Sequence, residues 1–339
     1  MAPASITQIS EEITSTRKLA ALSMAVVRLD PRRPQKTLDF GADGVICSIG
    51  LLGDITSLSA YHSIYGIVTA NPFEQFPGDK FWDSGFVRGY RQKFLRCFEE
   101  MGSGFGLRVS GDVMDLSVGS VDGKWPRINY RVGRFEVESS FIVADREVVN
   151  TLSVVNESGR TEGVDIHFGG QLSVNRASYG QLTEAGPIPM PPCLNQLRTR
   201  NGLLTIHNPN LPATFACSLY VDGHQVHLSV PREQSSEPIH FSAPQHLVVE
   251  PWGRRQITAI CRLGSDLKLN FPHFLDERYI PSLTPIPMFA SDAEDKIEKF
   301  VVQRTLDYIV SCCCIPIEDG AVCVLTDHIA LPLGWHRDN

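Results

Sequence analysis

The chain has no apolar run of about 18 residues, so no helical membrane span is expected. It has no surplus of positive charge. Its 31 Lys and Arg stand against 38 Asp and Glu, a formal net charge of -7, which excludes a general electrostatic attraction to nucleic acid. The one basic cluster, Asp30-Pro31-Arg32-Arg33-Pro34, is too short for a polybasic tract and reads as a loop. The first twelve residues lack the basic start and apolar centre of a secretion signal. The apolar run Leu19 to Val27 lies too far in and is followed by charged, proline-rich sequence. These absences lead to the expectation of a cytoplasmic protein.

The nine cysteines are odd in number and irregular in spacing, which does not suit a disulfide framework. They read as buried thiols of a reducing compartment. Cys312-Cys313-Cys314 invites a metal reading, but consecutive helical side chains point in different directions and do not share one ion readily. The triplet reads instead as small apolar filler at a helix end. Histidine offers no His-x-x-x-His spacing, and His224 and His227, an odd number apart, fall on opposite faces of one strand. There is no Walker loop and no Gly-x-Ser-x-Gly elbow. Gly102-Ser103-Gly104-Phe105-Gly106 has alternating glycines without a βαβ setting, so it reads as a flexible loop and not a dinucleotide site. No metal and no cofactor are expected.

What is present is strand pattern. From about Leu38 to about Cys261, glycines and prolines punctuate short apolar-alternating runs such as Arg134–Val143, Val148–Val155 and Val164–Phe168. Asp222-Gly223 between Ala216–Val221 and His224–Val230 marks a hairpin, because Asp-Gly supplies the positive φ angles of a type I′ turn. His246–Glu250 and Gln256–Cys261, linked by Pro251–Arg255, read as a second strand pair. So many short strands predict a mainly β protein, a large two-sheet antiparallel sandwich. The insertion Gly186–Cys193 is too rich in proline for a central strand.

Helices are expected at the margins. Apolar spacing suggests one from Ser5 to about Leu29 and one from Phe86 to about Met101. A third, Ser291 to about Cys312, carries Ser291 and Glu294 at capping-box spacing. The expected organisation is a helical segment at 1–37, a β-sandwich at 38–271, and a linker, helix and tail at 272–339.

The polar and aromatic residues that invite a functional reading fall in two groups. Trp335, His336, Arg337 and Asp327-His328 cluster in the tail, while Tyr61, His62 and Trp82 lie in loop-like sequence nearer the start. The bland alternative is that the tryptophans, Trp125 and Trp252 included, are packing anchors.

The tail run Thr326-Asp327-His328-Ile329-Ala330-Leu331-Pro332-Leu333-Gly334-Trp335-His336-Arg337-Asp338 resembles the segment that opens the helical barrel of six-hairpin glycosidases. The span Val121–Cys261 resembles the supersandwich that precedes that barrel. The resemblance implies a carbohydrate-processing scaffold. A barrel of twelve helices needs more than about 200 residues, far more than follow Pro287 here, so glycoside hydrolysis is not expected of this chain.

By size and overall pattern the chain also resembles the fungal intermolecular hetero-Diels-Alderases of tropolonic sesquiterpenoid biosynthesis. That resemblance implies a cofactor-independent cycloaddition between a tropolone o-quinone methide and a humulene-type terpene. Such a reaction needs an apolar pocket for small apolar substrates and a few polarising donors. On this reading His328 or His336 would donate the proton, Arg337 would stabilise oxygen, and Trp335, Trp82, Tyr61 and His62 would bind substrate. The alternative is a carbohydrate-binding or glycoside-hydrolase-related sandwich without its barrel. A homo-oligomer is compatible with either.

Overall fold

The computed structural model describes residues 27–28, 38–62, 66–75, 78–80, 82–99, 103–121, 124–176, 194–200, 202–228, 234–236, 238–265, 298, 301–302, 305–306, 308–316 and 322–324. The strands in chain order are β1 (Val27–Arg28), β2 (Leu38–Ala42), β3 (Val45–Ile49), β4 (Ile55–His62), β5 (Gly66–Asn71), β6 (Phe105–Val109) and β7 (Val113–Val121). They continue as β8 (Trp125–Val132), β9 (Phe135–Ala144), β10 (Glu147–Asn156), β11 (Glu162–Arg176), β12 (Asn195–Arg200), β13 (Leu203–His207) and β14 (Thr214–Val221). The last are β15 (His224–Val226), β16 (Gln234–Ser236), β17 (Ile239–Val249), β18 (Arg254–Gly264), β19 (Cys314–Pro316) and β20 (Val322–Val324). Between β5 and β6 stands α1 (Ser84–Glu99).

Two large antiparallel sheets form a sandwich, as the strand pattern predicts. One has 11 strands in the order β1-β7-β8-β9-β10-β18-β14-β13-β12-β16, with β15 added on β14. The other has 7, in the order β17-β11-β5-β4-β3-β2, with β6 pairing β11 and β4. Alternation within each strand sends one apolar set inward. Phe40, Phe105, Phe141, Phe168 and Phe215 meet there, all with exposure of 1% or less. Each such ring contributes about 2–3 kcal/mol of burial free energy. Phe105 packs edge-on against Phe215 across the sandwich, with centroids 5.2 Å apart. Trp125 is a core anchor, 4% exposed and edge-on to Phe40.

The Asp222-Gly223 hairpin forms as expected, with φ angles of 46° and 82° and Val221 paired with His224. The second expected pair does not form. β17 and β18 belong to different sheets: β17 pairs β11, and β18 pairs β10 and β14. The reason lies in the remote strands β10, β14 and β11, which supply the edges on which β18 and β17 pair. Gly253 N–H closes on Glu250 C=O at 2.9 Å, with Pro251 and then Trp252 at its centre, and Trp252 has a φ of 57°. The turn carries the chain across the core instead of back along the same sheet. Holding a large L-residue there costs about 1–2 kcal/mol.

Two further crossovers, β6 to β7 and β10 to β11, converge on the same end. Ser110 N–H donates to Asp165 C=O, and Asn156 Nδ2 donates to the carbonyls of Arg160, Val249 and Glu250.

α1 begins at Ser84, two residues ahead of the expected start, because Asp83 Oδ1 accepts the N–H groups of Gly85 and Phe86 and caps the first turn. The loop suggested by the glycine spacing ends at Gly104. Phe105 and Gly106 lie in β6, where the glycines allow backbones to touch. In the third expected helix, Glu298, Val301, Val302, Thr305, Leu306 and Tyr308 are helical, and Ile309–Cys313 make a π turn that packs on β2 and β3. The expected helix at 5–29, apart from the short strand β1, and the Gly186–Cys193 insertion lie outside the described residues.

Cys47, Cys217, Cys261, Cys312 and Cys313 are buried thiols outside any disulfide. Burial pushes the Cys47 and Cys217 thiols well above their ordinary range, so they stay protonated and unreactive. Burial also lifts the Tyr130 phenol from 10.0 to about 12, opposed by a hydrogen bond to the Val109 main chain. The fold therefore holds that proton more tightly than the unfolded chain does. Its contribution is complete below pH 10 and is lost as pH rises toward 12, about 2–3 kcal/mol in all. Urea melts of wild type and Tyr130→Phe across that window should converge as pH rises. Parallel curves would show that Tyr130 does not set the alkaline limit.

Candidate functional site: the polar outer face of the smaller sheet

Side chains of the seven-stranded sheet that point away from the core are polar over several strands. In β4, Leu58 and Ala60 face inward while Ser57 and Ser59 face out. In β5, Val68 and Ala70 face inward and Thr69 and Asn71 face out. In β11, Leu172 and Val174 face inward and Ser173 and Asn175 face out. Register makes these a continuous band: Ser48 pairs with Ser57, Ser59 with Thr69, Thr69 with Asn175, and Asn71 with Ser173. Ser48, Ser57, Ser59, Thr69, Asn71, Ser173 and Asn175 are all 5% exposed or less.

Burying uncharged polar groups is unfavourable unless they are hydrogen-bonded. Here most of them are. Thr69 Oγ1 donates to Asn175 Oδ1 at 2.6 Å, and Asn71 Nδ2 donates to Thr69 Oγ1 at 3.2 Å. Asn175 Nδ2 donates to Phe73 C=O at 2.7 Å and to Asn71 Oδ1 at 3.3 Å. The Phe73 N–H closes the ring on Asn71 Oδ1. Ser173 Oγ is the exception: it is fully buried and finds no hydrogen-bond partner among the described residues.

Charge enters at one side of the band. Asp54 is fully buried. Its Oδ2 accepts the Gly104 N–H at 3.2 Å and lies 3.9 Å from Arg108 Nη2. Its Oδ1 has no hydrogen-bond partner among the described residues. Arg108 stands directly across from His167 in the β6–β11 register. Burial, and then the Arg108 charge, hold the His167 pKa below 6.5, so its imidazole is neutral at pH 7 and free to accept or donate one hydrogen bond. The sign of this shift removes stability as pH falls below 6.5, since the unfolded chain then binds the proton more readily.

The face opens toward β17. Arg108, His167 and Gln171 are half-buried, and His240, Ser242 and His246 on β17 are exposed. In register, His240 on β17 stands across from Gln171 on β11, and Arg108 on β6 across from His167 on β11. Among the described residues no group of three His, Cys, Asp or Glu side chains is placed to share a metal ion.

Tyr61 does lie on this outer face of β4, but it packs with Ile46, Ile67, Cys312 and Tyr308. His62 follows it in β4, so alternation turns it to the other face. Trp82 stands just before α1 and is 89% exposed, so it is not the wall of an enclosed pocket. The three are therefore not one constellation. His328, Trp335, His336 and Arg337 lie outside the described residues. Asp54, Arg108, His167 and Gln171 were missed in the sequence reading. The signal that was available is Ser, Thr or Asn at alternate positions of three apolar strands, visible in Ser57-Leu58-Ser59-Ala60, Thr69-Ala70-Asn71 and Ser173-Val174-Asn175.

No family model matches this chain, and no curated protein matches it. Solved structures similar to it include a human-microbiome protein described as a kojibiose phosphorylase, at 7% identity and TM-score 0.38, over 71% of this chain and 32% of that one. A 4-alpha-glucanotransferase from Thermococcus litoralis is similar at 10% identity and TM-score 0.36, over 72% of this chain and 40% of that one. A galactose mutarotase-like protein from Lactobacillus casei is similar at 10% identity and TM-score 0.35, over 67% of this chain and all of that one. The chain thus spans about a third of the phosphorylase and two fifths of the glucanotransferase.

Proposed function

We propose that this β-sandwich binds a neutral polyhydroxylated ligand, a carbohydrate, on the polar outer face of its smaller sheet. The observation that carries this reading is the buried band of uncharged hydroxyl and amide groups across β3, β4, β5 and β11, with half-buried Gln171 and exposed His240 beside it. Sugar hydroxyls both donate and accept, as Ser, Thr, Asn and Gln do, so such a band can exchange internal hydrogen bonds for ligand ones. Neutral His167 and the Arg108 guanidinium add an acceptor and a fixed donor at the opening. The tail motif Asp327–Asp338, with its likeness to a six-hairpin glycosidase segment, supports the same ligand class.

A thermal-shift screen tests this with mono- and oligosaccharides beside tropolones and humulene-type terpenes. Stabilisation by sugars is the expected result. His167→Ala and Gln171→Ala should each weaken that binding by about tenfold, the worth of one well-made hydrogen bond. Stabilisation by tropolones or terpenes alone would replace the carbohydrate reading with the cycloaddition proposed for His328, His336 and Arg337. Sugar binding unchanged in both face variants would move the site elsewhere.

A further inference from the structure

At the end of the sandwich where three crossovers meet, the β17–β18 turn presents Trp252 with 71% of its surface exposed. Two features of this residue run against folding economy. Its large apolar ring lies in water, with no ring contact and no side-chain hydrogen bond among the described residues. Its backbone sits at a φ of 57°, a region that suits glycine, while the glycine next to it, Gly253, does not occupy that position. An exposed side chain gives no burial to offset this strain.

The surrounding structure nevertheless fixes the turn firmly. Trp252 N–H donates to Ser158 C=O at 3.3 Å, and Asn156 N–H donates to Gly253 C=O at 3.0 Å. Buried Asn156 spans the two crossovers with its side-chain amide. On the adjoining turns, Thr161 Oγ1 donates to Glu250 Oε2 at 2.9 Å, and Arg160, Thr161 and Glu250 are exposed. A strained, over-determined position bearing an exposed aromatic is the arrangement of a binding contact. A rigid flat ring with a polar rim matches a pyranose, which offers one C–H face and a periphery of hydroxyls.

We propose that Trp252 is the platform of a second carbohydrate contact, stacking one sugar ring at the end of the sandwich. The ligand class rests on the carbohydrate reading above, while the site is separate from the outer face of the smaller sheet. An oligosaccharide able to reach beyond one site would gain affinity from both by effective concentration.

The test uses the full chain, a panel of malto-, cello- and manno-oligosaccharides, tryptophan fluorescence titration, and the variants Trp252→Gly and Gln171→Ala. In Trp252→Gly the affinity for the binding oligosaccharide should fall at least tenfold, while Tm holds or rises because glycine relieves the backbone. A fall in Tm with this substitution would show a packing role and overturn the proposal. Unchanged affinity in Trp252→Gly, with loss in Gln171→Ala, would overturn this inference and leave the first site standing. Loss in Trp252→Gly with Gln171→Ala unaffected would do the reverse. Wild-type protein that binds no member of the panel overturns both.

Discussion

Gly170→Ala is expected to prevent stable folding, or to cost more than about 4 kcal/mol where folded protein is recovered. A Cβ at Gly170 would lie 2.2 Å from Gly104 C=O oxygen and 2.7 Å from Phe105 Cα, and Gly170 has a φ of 135°. Neither neighbour can give way. A Cβ at Gly104 would itself lie 2.0 Å from Ile55 C=O oxygen, so three backbones are stacked at contact distance. The clash is with main chain, not with the tip of a flexible side chain. Gly223→Ala is the control, since Gly223 has a φ of 82° but nothing within 4 Å. It should cost about 1 kcal/mol, the backbone penalty alone. Soluble yield and urea midpoints of the two variants would separate contact from conformation. A Gly170→Ala protein as stable as Gly223→Ala would show that the β6–β11 crossing relaxes.

The second large effect is expected on the outer face of the larger sheet. Glu147 is fully buried, and Arg262, with a side chain 13% exposed, approaches it at 3.5 Å and pairs with it in the β10–β18 register. Arg262→Met removes a cation held against a carboxylate that water does not reach. The expected loss is about 3 kcal/mol or more, because the buried charge remains. Adding Glu147→Leu to that variant should recover most of the loss, since an apolar pair of similar volume replaces a buried ion pair at little net cost. Denaturant melts of the two single variants and the double variant form the required cycle. A double variant no more stable than Arg262→Met would show that Glu147 is not what Arg262 neutralises.

The fold class was legible because strands with one buried face advertise themselves by period-two alternation. Asp222-Gly223 was legible for a similar reason: few dipeptides suit two positive φ angles. The partner of β17 was not. Pro251-Trp252-Gly253 reads as a turn in either case, and local sequence does not say whether the chain returns within a sheet or steps to the other one. That choice is made by β10 and β11, which are remote in sequence and offer the edges on which β18 and β17 pair.

The outer-face band was half legible. Its strands carry Ser, Thr and Asn at alternate positions, but polar alternation normally means a face in water. Only burial of 5% or less on Thr69, Asn71, Ser173 and Asn175 changes its meaning. Asp54 and Arg108 were invisible because they meet through a turn and a strand far apart in the chain.

The order in which strands find partners sets a schedule for a chain leaving the ribosome. β2 to β5 can form a meander early, but the open edge of β5 waits for residues Val68–Asn71 to meet Ser173–Arg176 of β11. β11 in turn is completed by β17, and β10 by β18. Pairings so distant are slow to close, and until then apolar edges stand unpaired. Refolding from denaturant is therefore expected to lose yield steeply with protein concentration, as unpaired edges associate before the distant strands arrive.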